Sequence, residues 1–215
     1  PAPRAVRHPG PKGEPLLSWL YLPSRASAST PSLVVVPYPG RGHRSGPPAW
    51  AGDPMDPTAV LLGQGYAVLV PSLPAPHGPA GPAEGLAERV LAVVDAAVAQ
   101  PDLAGRFDPQ RIALWGFSFG AWGSLMTAAQ VDRFSAVVAV AGRTDLASAW
   151  GQFATWRRLR PEEGLTTPWS AGWTETMQGD MRAPPWAAAD RYLANSPFYQ
   201  AGRIRTPVML VTGEL

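Results

Sequence analysis

The stretch Leu114–Gly123, which reads LWGFSFGAWG, places a single serine between two phenylalanines, with a glycine beyond each of them. Before this serine, residues 111–116 form an apolar run that is typical of a buried strand. After it, residues 119–130 have a helical pattern. Ser118 therefore lies where a strand turns into a helix. At this point it is either a small hydroxyl that fits the turn or a nucleophile held at a tight corner.

Gly116, Ser118 and Gly120 fit the pattern Gly-x-Ser-x-Gly at this strand-to-helix junction. A nucleophilic serine at such a junction needs a strained backbone that exposes its Oγ, and side chains two residues away on either side would crowd the turn. The backbone N–H of Phe119 would then point from the start of the helix at a developing oxyanion. The motif alone is common by chance, but in this position it favours a catalytic serine.

The rest of the chain alternates short apolar runs with helical stretches. Strands are predicted at 16–22, 32–38, 66–72, 111–116, 135–141 and 206–212, and helices at about 57–63, 83–100 and 119–130. Several of the runs are apolar without alternation, as in strands that are covered on both faces. We therefore expect a single α/β domain over residues 1–215 with a mostly parallel, doubly wound sheet.

The composition limits the kinds of site and partner. The 215 residues are 46% hydrophobic and 16% charged, as in globular proteins, and the formal net charge is only +2. No basic cluster alternates with aromatic residues and no apolar run has the length of a membrane span, so we predict neither a nucleic-acid nor a membrane partner. Because the chain has no cysteine, thiolate catalysis and cysteine-based zinc sites are excluded, and we predict no metal and no cofactor. The compartment and the oligomeric state stay open.

The glycine-rich segment VVVPYPGRGHRSGPP (34–48) has two interpretations. Its three glycines nearly make a dinucleotide-binding fingerprint, but the last spacing is one residue too long and two prolines stand where a helix should begin. The other interpretation, which we favour, is the oxyanion loop of a hydrolase, with Tyr38 donating its phenolic O–H. A tyrosine that only packs at the end of a strand is the simpler alternative.

Residues 143–200 interrupt the alternation, because they hold five of the nine tryptophans and many prolines and glycines but no clear strand. A long excursion between sheet strands typically forms a lid or a pocket wall, and irregular packing at the sheet edge is the alternative. We expect the tryptophans of this segment to wall a pocket above Ser118 that suits an apolar or proline-like side chain. They are Trp150, Trp156, Trp169, Trp173 and Trp186.

Four segments together resemble the catalytic domain of the prolyl oligopeptidase family of serine peptidases, which has an α/β-hydrolase fold. They are SWLYLP (18–23), Tyr38-Pro39-Gly40, FDPQRIALWGFSFGAWGSL (107–125) and YLANSPFYQAGRIRTPVMLVTGEL (192–215). Two positions depart from the family pattern: proline replaces the first glycine of its Tyr-Gly-Gly segment, and Ala121 replaces the second glycine that follows its serine. The resemblance implies Ser118 as the nucleophile, with the Phe119 N–H and the Tyr38 O–H as oxyanion donors.

In an α/β-hydrolase the acid and the histidine follow the serine along the chain. His8, His43 and His77 all precede Ser118, so none of them can be the catalytic histidine of the family. The resemblance places the acid just after the Gly-Glu-Leu that ends at Leu215. We therefore expect the acid, the histidine and the last helix to lie beyond Leu215, and the chain as given to hydrolyse little substrate.

Two other titratable residues have open roles. Asp145 could be the acid by a variant that places it one strand earlier, although we favour an N-cap for the helix that follows it. His43 could face the pocket from the oxyanion loop, although a solvated loop histidine is more common.

The expected function is that of a serine hydrolase, a prolyl oligopeptidase-type peptidase that cleaves peptides through an acyl-enzyme on Ser118. A carboxylesterase on the same fold is one alternative, because the fold does not determine the substrate. A non-catalytic binding module that kept the serine motif is another. The predicted partner is a peptide or ester substrate.

Overall fold

Seven strands and seven helices make up the part of the protein that the computed structural model describes, which is residues 2–24, 29–43, 45–48, 56–75, 78–152 and 169–213. The strands are β1 (Arg4–Pro9), β2 (Pro15–Tyr21), β3 (Ser32–Val35), β4 (Ala67–Val70), β5 (Asp108–Phe117), β6 (Ala136–Val140) and β7 (Val208–Val211). The helices are α1 (Thr58–Gly63), α2 (Leu86–Ala99), α3 (Phe119–Gln130), α4 (Leu146–Gly151), α5 (Trp169–Thr176), α6 (Ala189–Ala194) and α7 (Pro197–Gln200). A 3-10 turn follows at Ala201–Arg203.

The strands form one sheet in the order β1-β2-β4-β3-β5-β6-β7. The pairs β1–β2 and β2–β4 are antiparallel, and the four remaining pairs are parallel. The mostly parallel sheet predicted from the apolar runs is therefore confirmed. The strand order changes direction at β3, because the chain first moves to β4 on one side and then to β5 on the other. Such a switch point leaves a crevice at the carboxyl ends of the strands.

Helix α3 is the most buried helix of the described residues and lies at the centre of the packing. Eleven of its twelve residues are buried against β5, β6, α2 and α7. Its sequence FGAWGSLMTAAQ is rich in glycine and alanine, so neighbouring elements can approach its backbone closely. The largest side chain of the helix, Trp122, is fully buried and stacks on the Phe119 ring, with ring centroids 4.4 Å apart.

Asn195 ties three elements around this helix. Its Oδ1 accepts a hydrogen bond from the Ala83 N–H at 2.9 Å, and its Nδ2 donates to the Ala80 and Arg191 carbonyls at 2.7 and 2.8 Å. Its own carbonyl accepts from the indole N–H of Trp122 at 2.8 Å. The polar groups of this buried amide are thus satisfied, and they hold the loop before α2 against α6 and α3.

The strand predictions differ most from the structure at β1, at the end of β3 and at the start of β5, which begins at Asp108 and not at residue 111. β1 was not predicted, because RAVRHP carries three basic side chains and forms an edge strand, whose pattern is less apolar than that of a covered one. The run predicted as a strand at 32–38 ends at Val35, because Pro37 has no N–H to donate to a neighbouring strand.

The segment 143–200 contains helices and no strand in its described parts, 143–152 and 169–200. Trp156 lies outside the described residues. No helix within the described ranges is both long enough and apolar enough to cross a membrane.

Candidate active site

Ser118 lies between β5 and α3 in a backbone conformation that side-chain-bearing residues rarely adopt, with φ 55° and ψ −120°. Its N–H donates to the Val140 carbonyl at 2.9 Å. Its own carbonyl accepts from the N–H groups of Ala121 and Trp122 at 3.1 and 3.2 Å. The strained residue is therefore held on one side by the end of β6 and on the other by the first turn of α3.

The two glycines of the motif are needed because the chain turns back on itself. A Cβ atom on Gly116 would lie 2.1 Å from the Gly120 carbonyl oxygen and 2.5 Å from the Ala121 nitrogen. A Cβ atom on Gly120 would lie 2.8 Å from the Pro37 carbonyl oxygen. No side chain fits at either position unless the backbone moves, which is the crowding that the sequence motif predicts.

Two further glycines complete the packing of this turn. A Cβ atom on Gly123 would lie 2.8 Å from Cδ of Pro39, so the loop after β3 rests directly on α3. A Cβ atom on Gly142 would lie 2.7 Å from Cβ of Ala121 and 3.3 Å from the Trp122 nitrogen. Ala121, which departs from the family pattern, is therefore accommodated by the absence of a side chain at position 142.

The residues predicted as oxyanion donors lie beside Ser118. Phe119 is the first residue of α3, and its N–H has no hydrogen-bond acceptor among the residues that the structure describes. The Tyr38 ring packs edge-on against the Phe119 ring, with centroids 6.4 Å apart. The Arg41 guanidinium lies 4.0 Å from the centre of the Tyr38 ring. The structure thus brings Tyr38, Ser118 and Phe119 into one neighbourhood.

A cavity of about 130 Å³ opens next to Ser118 at the carboxyl ends of β3, β4 and β5. Its described polar lining residues are Tyr38, Arg41, Asp56 and Ser118, and the rest of its described lining is apolar. This is the switch point of the sheet, where ligands of open α/β folds bind. The described residues contain no group of three His, Asp or Glu side chains that could hold a metal ion.

His8 and His43 are both buried, each with 8% of its surface exposed. Burial lowers the pKa of both imidazoles below the ordinary value, and the charge of Arg41 lowers the pKa of His43 further. The prediction that His43 is a solvated loop histidine is wrong, because its side chain is buried. Its backbone is fixed as well: Ser72 Oγ accepts from the backbone N–H at 2.9 Å, and the backbone carbonyl accepts from the Trp19 indole at 3.2 Å. Neither histidine is among the described residues that line the cavity, and His77 lies outside the described residues.

Asp145 is the N-cap of α4, which is the role that the sequence favours. Its Oδ1 accepts from the Ala147 N–H at 3.0 Å, and its Oδ2 accepts from the Ser148 hydroxyl. It borders a different groove from the one beside Ser118, together with Arg143 and Thr144.

Among the described tryptophans of the 143–200 segment, those of α5 lie nearest Ser118, and none is among the described residues that line the cavity beside it. The Trp173 ring packs edge-to-face on the Phe119 ring, with centroids 5.7 Å apart, and Trp169 stacks beside Trp173 at 6.4 Å. Trp150 and Trp186 form a second pair at 5.0 Å. Trp173 is only 5% exposed, whereas Trp150 and Trp169 are partly exposed.

One residue that the sequence reasoning missed contacts Tyr38 directly. Gln178, two residues after α5, donates from Nε2 to the Tyr38 hydroxyl oxygen at 3.2 Å. Its Oε1 accepts from the indole N–H of Trp173, also at 3.2 Å. The residue belongs to no motif and is separated from Tyr38 by 140 positions, so the sequence offered no signal for it.

Three solved structures are similar to this one over 98% of the chain. A puromycin-hydrolyzing peptidase from Mycobacterium tuberculosis is 22% identical with a TM-score of 0.66, and 30% of its length is covered. Dipeptidyl peptidase 4 from Porphyromonas gingivalis is 17% identical with a TM-score of 0.61 and 27% covered, and acylaminoacyl peptidase from Pyrococcus horikoshii is 16% identical with a TM-score of 0.61 and 31% covered. The likeness confirms the predicted α/β-hydrolase fold, and the chain spans less than a third of the length of these proteins.

The sequence of the chain also matches a known family. No curated protein sequence matches the chain. The model of the prolyl oligopeptidase family matches residues 85–215, which are well over half of the chain and include the Ser118 turn, α5 and β7. The chain therefore belongs to the prolyl oligopeptidase family of serine peptidases, as its motifs predict.

Proposed function

We propose that the full-length protein hydrolyses peptide bonds through an acyl-enzyme formed on Ser118. The observation that carries this proposal is the strained backbone of Ser118, with φ 55°, at the start of a buried helix in a chain of this family. Strain of this kind persists where the surroundings hold it and is concentrated at functional sites. The names of the three similar structures, each a peptidase, support peptides as the substrate class.

In the proposed reaction the Ser118 Oγ attacks the carbonyl carbon of the scissile bond, and a new C–O bond forms while the carbonyl oxygen takes the negative charge. The hydroxyl proton passes to a general base and from there to the nitrogen of the scissile bond. The C–N bond then breaks, the carbonyl re-forms, the amine leaves and the acyl group stays on Ser118 as an ester. Water then hydrolyses the ester and restores the serine. The Phe119 N–H and the Tyr38 O–H would donate to the oxyanion, and the base is not assigned to any of the described residues.

We further propose that the 143–200 segment walls the substrate pocket. The contact between Trp173 and Phe119, with ring centroids 5.7 Å apart, supports this assignment because Phe119 directly follows the nucleophile. Trp150 and Trp169 are partly exposed and would present apolar surface to the side chain next to the scissile bond. An apolar or proline-like side chain is the substrate feature that such a wall would favour.

The proposed nucleophile is tested by labelling the full-length protein with a fluorophosphonate probe and mapping the adduct by mass spectrometry. We expect the adduct on Ser118 and none on the Ser118→Ala variant, whose peptide turnover should fall by several orders of magnitude. Labelling at another residue, or equal labelling of both proteins, would reject the assignment. Cleavage of p-nitrophenyl esters without cleavage of peptide substrates would instead favour a carboxylesterase.

The proposed oxyanion role of Tyr38 is tested by Tyr38→Phe, which keeps the ring packing and removes the donor. Loss of one oxyanion donor typically lowers turnover by about 10²–10³-fold. We expect a fall of this size in kcat with little change in KM, because the bond strengthens only in the transition state. Unchanged turnover in a folded variant would reject the role.

A further inference from the structure

We propose that Gln178 is a positioning residue for Tyr38, whose hydroxyl it holds so that the single phenolic hydrogen is left for the oxyanion. The inference rests on the proposed oxyanion role of Tyr38 and extends the site to a residue 140 positions away in the chain. It makes the turn after α5 part of the catalytic arrangement, in addition to the proposed role of the 143–200 segment as a wall of the substrate pocket.

The orientation of the Gln178 amide is determined by its other neighbour. The indole N–H of Trp173 can only donate, so the amide oxygen of Gln178 must face it, at 3.2 Å. The amide NH₂ therefore faces the Tyr38 hydroxyl, also at 3.2 Å, and an NH₂ group can only donate. The order of donors and acceptors from Trp173 through Gln178 to Tyr38 thus has one solution.

This order decides what the Tyr38 hydroxyl can do. A phenolic O–H has one hydrogen to donate, and here its oxygen already accepts from Gln178. Among the described residues, the Tyr38 hydroxyl has no other hydrogen-bond partner. Its hydrogen is consequently uncommitted and can turn toward the cavity that Tyr38 shares with Ser118.

The turn that carries Gln178 is firmly built, which a positioning role requires. The Gly179 N–H donates to the Trp173 carbonyl at 3.2 Å, and the Met181 N–H donates to the Thr174 carbonyl at 2.9 Å. A Cβ atom on Gly179 would lie 2.4 Å from the Thr174 carbonyl oxygen, so this close approach needs glycine.

The indole that orients the amide is itself held in place. The Arg143 guanidinium lies 4.6 Å from the centre of the Trp173 ring, and the Phe119 ring packs against it at 5.7 Å. The same indole thus touches the residue that follows the nucleophile and orients the amide that holds the oxyanion donor.

The test compares Gln178→Glu with Gln178→Met in the full-length protein, by steady-state kinetics on a peptide substrate. A carboxylate at position 178 still accepts from Trp173 but would also accept from the Tyr38 O–H and capture its hydrogen. We expect Gln178→Glu to lower kcat by about 10²–10³-fold with little change in KM, close to Tyr38→Phe. Methionine has a similar length and only removes the hydrogen bond to the Tyr38 hydroxyl. We expect Gln178→Met to lower kcat about tenfold, as for the loss of one hydrogen bond.

The double variant Tyr38→Phe/Gln178→Glu separates a positioning role from a structural one. If Gln178 acts through Tyr38, the double variant has nearly the turnover of Tyr38→Phe alone. Gln110→Glu is the matched control, since Gln110 is exposed at the opposite end of β5, and it should retain full turnover.

Three outcomes would overturn the proposal. Equal kcat for Gln178→Glu and Gln178→Met, with Tyr38→Phe impaired, would reject the role of Gln178 while leaving Tyr38 as the donor. Independent losses in the double variant would do the same. Full turnover of Tyr38→Phe would instead reject the oxyanion role on which the inference rests.

Discussion

At the scale of single residues, the absence of a side chain shapes the Ser118 turn as much as the serine itself. Gly116 and Gly120 let the strand reverse into the helix, and Gly142 lets the end of β6 lie against Ala121. The last contact is close enough that any Cβ atom at position 142 would meet another buried carbon at 2.7 Å. The packing of the turn therefore depends on a pair of residues in different elements.

The pair predicts a specific compensation. Gly142→Ala should lower the free energy of unfolding by about 1–3 kcal/mol, the usual cost of overpacking a core, as measured by urea denaturation. Ala121→Gly alone should cost about 1 kcal/mol, because glycine is unfavourable inside a helix. The double variant should lose less than the sum of the two, since removing the Ala121 methyl makes room for the new one. Strict additivity would contradict the proposed contact.

The sequence could predict some of these residues because their contacts are local. Gly116 and Gly120 crowd each other across four positions, and a motif of five residues contains the whole interaction. The contacts of Gly142 with Ala121 and of Gln178 with Tyr38 join distant parts of the chain. Only the folded arrangement of β6, α5 and the loop after β3 brings those partners together.

At the scale of elements, apolar residues predicted the covered strands and both long helices, because elements that are largely buried consist mostly of apolar residues. The carboxyl end of β3 and the edge strand β1 were not predicted correctly, because a proline ends the first and the second carries the exposed side chains of Arg4 and Arg7. Helix α5 could not be located from its pattern either. It is short and contains glycine and threonine, and its packing on Phe119 gives it its place.

The proposed wall predicts a change in substrate preference. Trp169→Leu and Trp150→Leu should reduce kcat/KM about tenfold for a peptide with phenylalanine, leucine or proline before the scissile bond, since apolar pocket contacts are worth about 1–3 kcal/mol. A peptide with glycine there should lose much less. Tyr66→Leu is a suitable control, because this exposed ring precedes β4 at the opposite end of the sheet. Equal losses for both peptides would assign the tryptophans to structure alone.

At the scale of the whole molecule, a buried polar path joins the outer hairpin of the sheet to the loop that carries Tyr38. Ser18 Oγ lies 2.7 Å from His8 Nε2 and accepts from the Ser72 N–H at 2.8 Å. Ser72 Oγ in turn accepts from the backbone N–H of His43 at 2.9 Å. Four segments, β1, β2, the end of β4 and the loop after β3, are thus connected inside the fold through the His8 imidazole, two serine hydroxyls and the backbone N–H groups of Ser72 and His43.

The burial of His8 and His43 predicts that stability falls in mildly acidic solution. Burial lowers the folded pKa of His8 and of His43 below the unfolded value of 6.5, and the charge of Arg41 adds to the effect at His43. Below pH 6.5 the unfolded chain therefore binds more protons than the folded one, so the free energy of unfolding decreases as the pH falls. The decrease continues until the pH reaches the folded pKa of each histidine, and each contributes at most about 1.4 kcal/mol per pH unit.

Urea denaturation between about pH 7.5 and 5.5 measures this dependence, and glutamine substitutions assign it, because glutamine does not titrate. The variant His8→Gln/His43→Gln should show a flatter dependence than the wild type, even if its stability at pH 7.5 is lower. The single variants should each flatten it in part, since no hydrogen bond joins the two imidazoles: the His8 ring contacts Ser18, whereas Ser72 accepts from the backbone N–H of His43. An unchanged slope in the double variant would show that other groups titrate in this range, and that the two buried histidines do not make the fold sensitive to acid.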